Sequence, residues 1–321
     1  MTTPAEGRFA AYQHGIYPRS ERVVQVTRDA ERGRTGEERV DEAFRRDRDE
    51  YLDLQRRAGM DLLSDGLLRW QDLFRPLVDG SEGMEARVLV RWFDNNSFFR
   101  APDLIGDPRL VDLPAWVTED GVPEPRVATL PSPYLFSRAA RAKGDPDRLI
   151  EVLARNVLVP AVGDLVRAGN VLIHLEEPWL AFSGIDDRSW APLEAALGAI
   201  RDAAGGVPVV LHVYYGDAAP HAARLAGLPV DAVGIDFAET DVDDLAAPWP
   251  TGLVAGCLDG RRSVIERIDE VVALARRVRD RLEPPTLYLT SGSDLELLGP
   301  EVAAGKVEVL GETARRLRED G

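Results

Sequence analysis

The residues able to do chemistry fall into short clusters, each at the end of an apolar run. The clearest is Ala168 to Leu180, AGNVLIHLEEPWL, where Val171, Leu172 and Ile173 give way abruptly to His174, Glu176, Glu177 and Pro178. An aliphatic run of that length after a Gly-Asn turn reads as a strand buried on both faces of a parallel sheet. Charges at its carboxyl end stand where α/β proteins place their chemistry. The pattern recurs: His212 and Tyr214 close VPVVLHVY, Asp236 closes VDAVGIDF, Asp259 follows TGLVAGCL, and Ser291 and Ser293 follow TLYLT. Arg19, Asp65 and Ser132 end weaker runs earlier in the chain.

Three chemistries could use this set. Glu176 and Glu177 offer an acid and a base, but neighbours on a strand point to opposite faces and so are not a couple. His212, Asp236 and Glu176 form a hard nitrogen and oxygen set suited to zinc or magnesium, although their spacing specifies no metal. Arg19, Arg22 and Arg91, with Asp94 and Asn95 beside the last, offer forked donors for a carboxylate or phosphate. Each has a plainer reading as well: carboxylates paired with arginines, Asp259-Gly260 as a turn, and Ser291-Gly292-Ser293 as ordinary loop. No G-x-S-x-G nucleophile elbow is present.

The elements that must position these residues alternate in type. The sequence predicts a polar flexible tail to about Tyr12, a first strand at His14 to Arg19, a helix over Glu38 to Gly59 and a second strand in Met60 to Leu68. Val88 to Phe93 reads as an accessory strand, followed by an irregular insert over about 94–125. Arg126 to Leu130 is the next strand, and a helical stretch from about Pro146 to Ala168 leads into the Val171 run. Strands at Val207 to Tyr214, Val230 to Phe237, Thr251 to Leu258 and Thr286 to Thr290 then alternate with helices. The last two helices are Ser263 to Leu282, with Val264 and Ile265 on its apolar side, and Pro300 to Arg318. Eight buried strands alternating with helices predict a single-domain α/β fold, a (β/α)8 TIM barrel over residues 13–321. A doubly wound sheet would call for a Gly-rich phosphate loop after its first strand, and none occurs.

Composition narrows the partners. Lys plus Arg number 39 against 55 Asp plus Glu, a net charge of −16, which disfavours nucleic acid and anionic membrane surfaces. The single cysteine, Cys257, excludes an internal disulfide and a thiolate-rich metal cage, and fits a reducing compartment. No segment approaches the roughly 18 apolar residues of a membrane span, and the start lacks a signal-peptide core, so a cytoplasmic protein with a small-molecule substrate is expected.

Taken in order, HGIYPRSER, MDLLSDG, RWFDNNSFF, LIHLEEPWL, VLHVYYGD, VGIDFA, CLDGRRS and LYLTSGSDL resemble segments of the cobalamin-independent methionine synthases over nearly the whole chain. RWFDNN and CLDGR look more like the amino-terminal of that family's two related barrels. The resemblance implies a barrel, methyl transfer from a folate-type donor, and zinc held by a His-x-Cys pair, a glutamate and a second cysteine. His212 matches the histidine. Tyr214 stands where the first cysteine would be, Asp236 takes the glutamate position, and Ser293 or its neighbour replaces the second cysteine. The resemblance also places Arg19, Arg22 and Arg91 near the folate tail. It implies a methionine-synthase-like methyl or alkyl transfer to a small polar or anionic substrate without thiolate-bound zinc, with His212, Tyr214, Asp236 and Glu176 as catalytic residues. Two other readings share the barrel: a lyase or decarboxylase, and a non-catalytic counterpart of the amino-terminal barrel that partners a methyltransferase or corrinoid protein.

Overall fold

The computed structural model describes residues 9–118 and 121–320. In chain order the strands are β1 (Phe9–Ala11), β2 (Ser81–Arg91), β3 (Phe98–Leu110), β4 (Arg126–Pro131), β5 (Asn170–Glu177), β6 (Val209–Val213), β7 (Ala232–Asp236), β8 (Gly252–Gly256) and β9 (Leu287–Thr290). Seven of them form one curled parallel sheet in the order β1-β9-β8-β7-β6-β5-β4, while β2 and β3 pair with each other as an antiparallel hairpin. Between β4 and β9 the strand order follows the sequence, because each is followed by chain that packs on the outer face and returns to the next position.

Period-two alternation divides the core. Ile173, Leu175, Leu211, Val213, Val233, Ile235, Leu253 and Ala255 face outward and join the large cluster shared with the helices. Their neighbours Leu172, Val210, Ala232 and Val254 turn the other way and, with Tyr12, Leu62, Val127 and Tyr288, form a separate cluster on the concave face. Each such aliphatic side chain contributes roughly 1.5–3 kcal/mol through burial. The concave face is therefore apolar at the amino ends of the strands, and the polar residues lie nearer their carboxyl ends.

The expected first and second strands fall elsewhere. β1 occupies Phe9–Ala11, and Ala10, Ala11 and Tyr12 are buried, so residues 9–12 are no tail; Met1 to Arg8 lie outside the described residues. His14 to Arg19 is a loop that leads into α1 (Glu21–Glu31), a helix not anticipated from the sequence. Met60 to Leu68 forms no extended strand. Its Asp61 N–H donates to Ala11 O of β1 (2.9 Å), its Leu63 N–H to Pro125 O (2.9 Å), and Leu63 O accepts from Val127 N–H of β4 (2.9 Å). One short segment thus binds both edge strands of the sheet. α2 (Glu37–Ala58) matches expectation, with acidic residues in its first turn, Arg56 and Arg57 in its last, and Gly59 ending it at φ 79°.

The stretch read as an accessory strand with an irregular insert is instead the β2–β3 hairpin, followed by a one-turn helix at Ala115–Thr118. The helix expected from Ser263 begins at Ile268, and Val264 and Ile265 are 72% and 43% exposed rather than on its apolar face.

Candidate active site

His14, His174 and His212 meet on the concave face above the apolar cluster. All three are fully buried, and their nearest ring nitrogens lie within 4.8 Å of one another. His174 comes from β5, two residues before Glu176 and on the same face; His212 sits on β6 in register with Glu176, and His14 follows β1. The His14 ring stacks on His174 at 4.2 Å, and His212 meets both rings edge-on. The His212 ring covers Gly234 of β7, where a Cβ would lie 2.5 Å from it.

Glu176 organises the next level. His14 Nδ1 lies 3.0 Å from Glu176 Oε1, and Tyr214 O–H donates to Oε2 at 2.9 Å. Gly15, at φ 72°, must lack a side chain here, since a Cβ would stand 2.5 Å from both Glu176 Oε1 and the Asp294 Cβ. Asp294 is buried, and burial, with Glu176 and Glu296 nearby, holds its carboxyl well above the usual range. Burial pushes Asp236 up to about 7 against the opposing hydrogen bond from Ala238 N–H. Burial also holds His174 and His212 well below the ordinary histidine value, so both are neutral. Several buried atoms at this end have no hydrogen-bond partner: both ring nitrogens of His212, His174 Nε2, Thr290 Oγ1 and Asp294 Oδ1. Such atoms are costly to bury alone and mark a volume that receives polar groups from outside the chain.

The turn of the β2–β3 hairpin covers this end. Phe93, at φ 50°, inserts among Trp179, Phe182 and Tyr215, and Ser97 Oγ donates to Glu296 Oε2 at 3.0 Å. Arg261 reaches across to Asp94 (3.5 Å), pairs with Glu239 and lies over the Tyr215 ring.

Not every residue expected at the site faces it. Glu177 points outward, caps the helix Pro178–Ser183 through Leu180 N–H and accepts from Ser132, which itself caps Pro133–Ala139. Arg19 donates to the carbonyls of Leu68 and Trp70, Arg22 pairs with Asp47 and Glu50 between α1 and α2, and exposed Arg91 lies over Phe98. Arg19 and Arg22 thus spend donors on the chain itself, while Arg91 lies exposed on the hairpin. Asp65 turns back to Leu67 N–H, Asn95 accepts from Ser97 N–H, and Asp259 accepts from Arg261 N–H and pairs with Arg262. Ser291 accepts from Gln13, and Ser293 donates to Asp294 O. His14, Asp294 and Glu296 were not among the expected site residues, and His174 was singled out beside Glu176 without a role. The i, i+2 step from Glu176 puts His174 on the same face; nothing local marks the others.

A sequence model described as the N-terminal domain of the cobalamin-independent synthases matches residues 64–283. The chain belongs to the cobalamin-independent methionine synthase family. It is 30% identical over 271 residues to the 5-methyltetrahydropteroyltriglutamate–homocysteine methyltransferase of Caulobacter vibrioides, covering 74% of this chain and 34% of that one. It thus spans about a third of that relative's length. It is 24% identical over 307 residues to the methionine synthase of Sulfolobus acidocaldarius, covering 91% and 87%. A B12-independent methionine synthase structure from Shewanella sp. W3-18-1, in complex with selenomethionine, superposes with a TM-score of 0.74 at 19% identity, over 89% of this chain and 90% of that one. That likeness supports the fold.

The family's thiolate zinc site does not fit the residues here. Tyr214 spends its hydroxyl on Glu176, and burial raises its ionisation far above neutrality. Ser293 is bonded to backbone, and the only cysteine, Cys257, is buried with its thiol pushed up to about 12. Neither thiolate position offers a charged sulfur or an equivalent anion. Among the described residues no helix is long and apolar enough to cross a membrane.

Proposed function

We propose that this protein is a methionine-synthase-like enzyme that transfers a methyl or alkyl group from a folate-type donor to a small polar substrate, without a thiolate-bound zinc. The reading includes a closed eight-position barrel, in which Asp61 to Leu63 stands in the second place between β1 and β4. The observation that carries it is the pair of buried carboxyls, Asp236 and Asp294, beside orphaned polar atoms at the covered end of the family's fold.

The chemistry follows from their environments. Asp236, titrating near neutrality, takes the proton from the acceptor's X–H group. The electron pair left on X attacks the methyl carbon as the bond from that carbon to the donor nitrogen breaks. Asp294, whose carboxyl burial holds well above the usual range, returns a proton to the departing nitrogen. Glu176 fixes His14 and Tyr214 around the reacting volume, and the hairpin excludes water.

The test is calorimetric titration with a methylated tetrahydrofolate, followed by turnover assays with small acceptors. Asp236→Asn is expected to keep the fold by circular dichroism and lose about 100-fold or more in kcat. A donor that does not bind, or an Asn variant with full activity, overturns the reading. The lyase and partner readings are not better supported, although the family model that matches is that of the N-terminal domain.

A further inference from the structure

The chain has four histidines, and three of them converge in one buried volume. Histidines do not gather in an apolar interior for packing alone, because each ring nitrogen left without a partner is costly there. His212 has both nitrogens unpartnered and His174 has Nε2 unpartnered, yet each ring is fully buried. We propose that His14, His174 and His212 form a metal site that takes a single divalent ion of borderline softness, such as zinc or cobalt, through imidazole nitrogens alone.

The surrounding residues are arranged as an outer shell for such an ion. A ligating histidine presents one nitrogen to the metal and donates its other N–H to a carboxylate, carbonyl or hydroxyl. Glu176 Oε1 faces His14 Nδ1 at 3.0 Å, while His14 Nε2 faces the Ser291 carbonyl at 3.3 Å, a contact it exchanges for the metal when an ion binds. The Tyr12 hydroxyl faces His174 Nδ1 at 2.9 Å, and with the ring proton on Nδ1 the unpartnered Nε2 is the metal-facing atom. Glu176 is itself held by Tyr214, so the shell is supported twice over. Thr290, on β9, brings an unpartnered hydroxyl to the same end of the concave face.

Binding requires a local adjustment. Tetrahedral nitrogen ligands about 2.0–2.1 Å from an ion lie roughly 3.4 Å apart, so the 4.8 Å spread must close and the stacked His14 and His174 rings must open. Gly234 admits the His212 ring at its present place, since a Cβ there would stand 2.5 Å from it. This ligand set shares only His212 with the thiolate site that the sequence resemblance implies, and it does not depend on the proposed methyl transfer.

The full chain, stripped with chelator, is titrated with Zn²⁺ by calorimetry and with Co²⁺ by visible absorption. One ion per chain is expected, with the ligand-field bands of a tetrahedral site and no sulfur-to-cobalt band. Cys257→Ser should leave the titration unchanged. Glu176→Gln should weaken binding by about 10- to 100-fold through the outer shell, and His174→Gln should abolish the spectrum. A wild-type chain that takes up neither ion, or histidine variants with unaltered stoichiometry and spectrum, would overturn the site. Because the wild-type titration decides by itself, a variant that fails to fold leaves the proposal open to refutation.

Discussion

Asp236 shows how burial sets the pH dependence of one residue in the candidate site. Burial raises its carboxyl from the usual 3.8 to about 7, so the folded chain holds that proton more tightly than the unfolded chain does. The stability this group contributes is intact below about pH 4 and is lost as pH rises, fully so above about 7, where the cost approaches about 4 kcal/mol. Asp236→Asn removes the titration. The variant should therefore gain on wild type progressively between pH 4 and 8 in urea denaturation, and a pH-independent difference would contradict the assignment. Residues of the candidate site were legible at this scale where they ended a run, as Asp236, His212 and Tyr214 do. His14 was not, because its partners Glu176 and Ser291 lie far along the chain.

Among the elements, the buried runs bounded by turns were read correctly, and β1 and α1 were not. β5 to β9 carry buried runs punctuated by turns, and α2 carries both capping signals. β1 is three residues, FAA, too short for any period, and it exists because β9 supplies a partner. Ser263 to Arg267 continues an apolar pattern yet is not helical. Lys306 from the helix Pro300–Glu319 reaches Val264 O and both oxygens of Glu266 at 2.7 Å, and Glu266 in turn accepts from Asp259 N–H. That fully buried lysine pins the loop open beside the site. Lys306→Ala should cost about 3 kcal/mol by leaving Glu266 without its cation, measured as a lower denaturation midpoint. A loss under about 1 kcal/mol would mean that the loop holds itself.

For the whole molecule, the two edge strands of the sheet are bridged by very little backbone. A single segment, Asp61 to Leu63, carries the hydrogen bonds between β1 and β4. The sequence reading anticipated a strand in this neighbourhood because Leu62 and Leu63 are apolar, although nothing in the composition limits the pairing to one bridge. Leu63→Pro removes the donor to Pro125 O and should cost about 3 kcal/mol or more, seen as a fall in Tm; an unchanged Tm would make the segment dispensable. β1 pairs with β9, and Gln13 bonds to Ser291 across 278 positions. A chain emerging from the ribosome therefore cannot assemble the histidine cluster until translation has passed Thr290, and nascent chains that end between His212 and Thr290 carry all three imidazoles on segments not yet joined through β9.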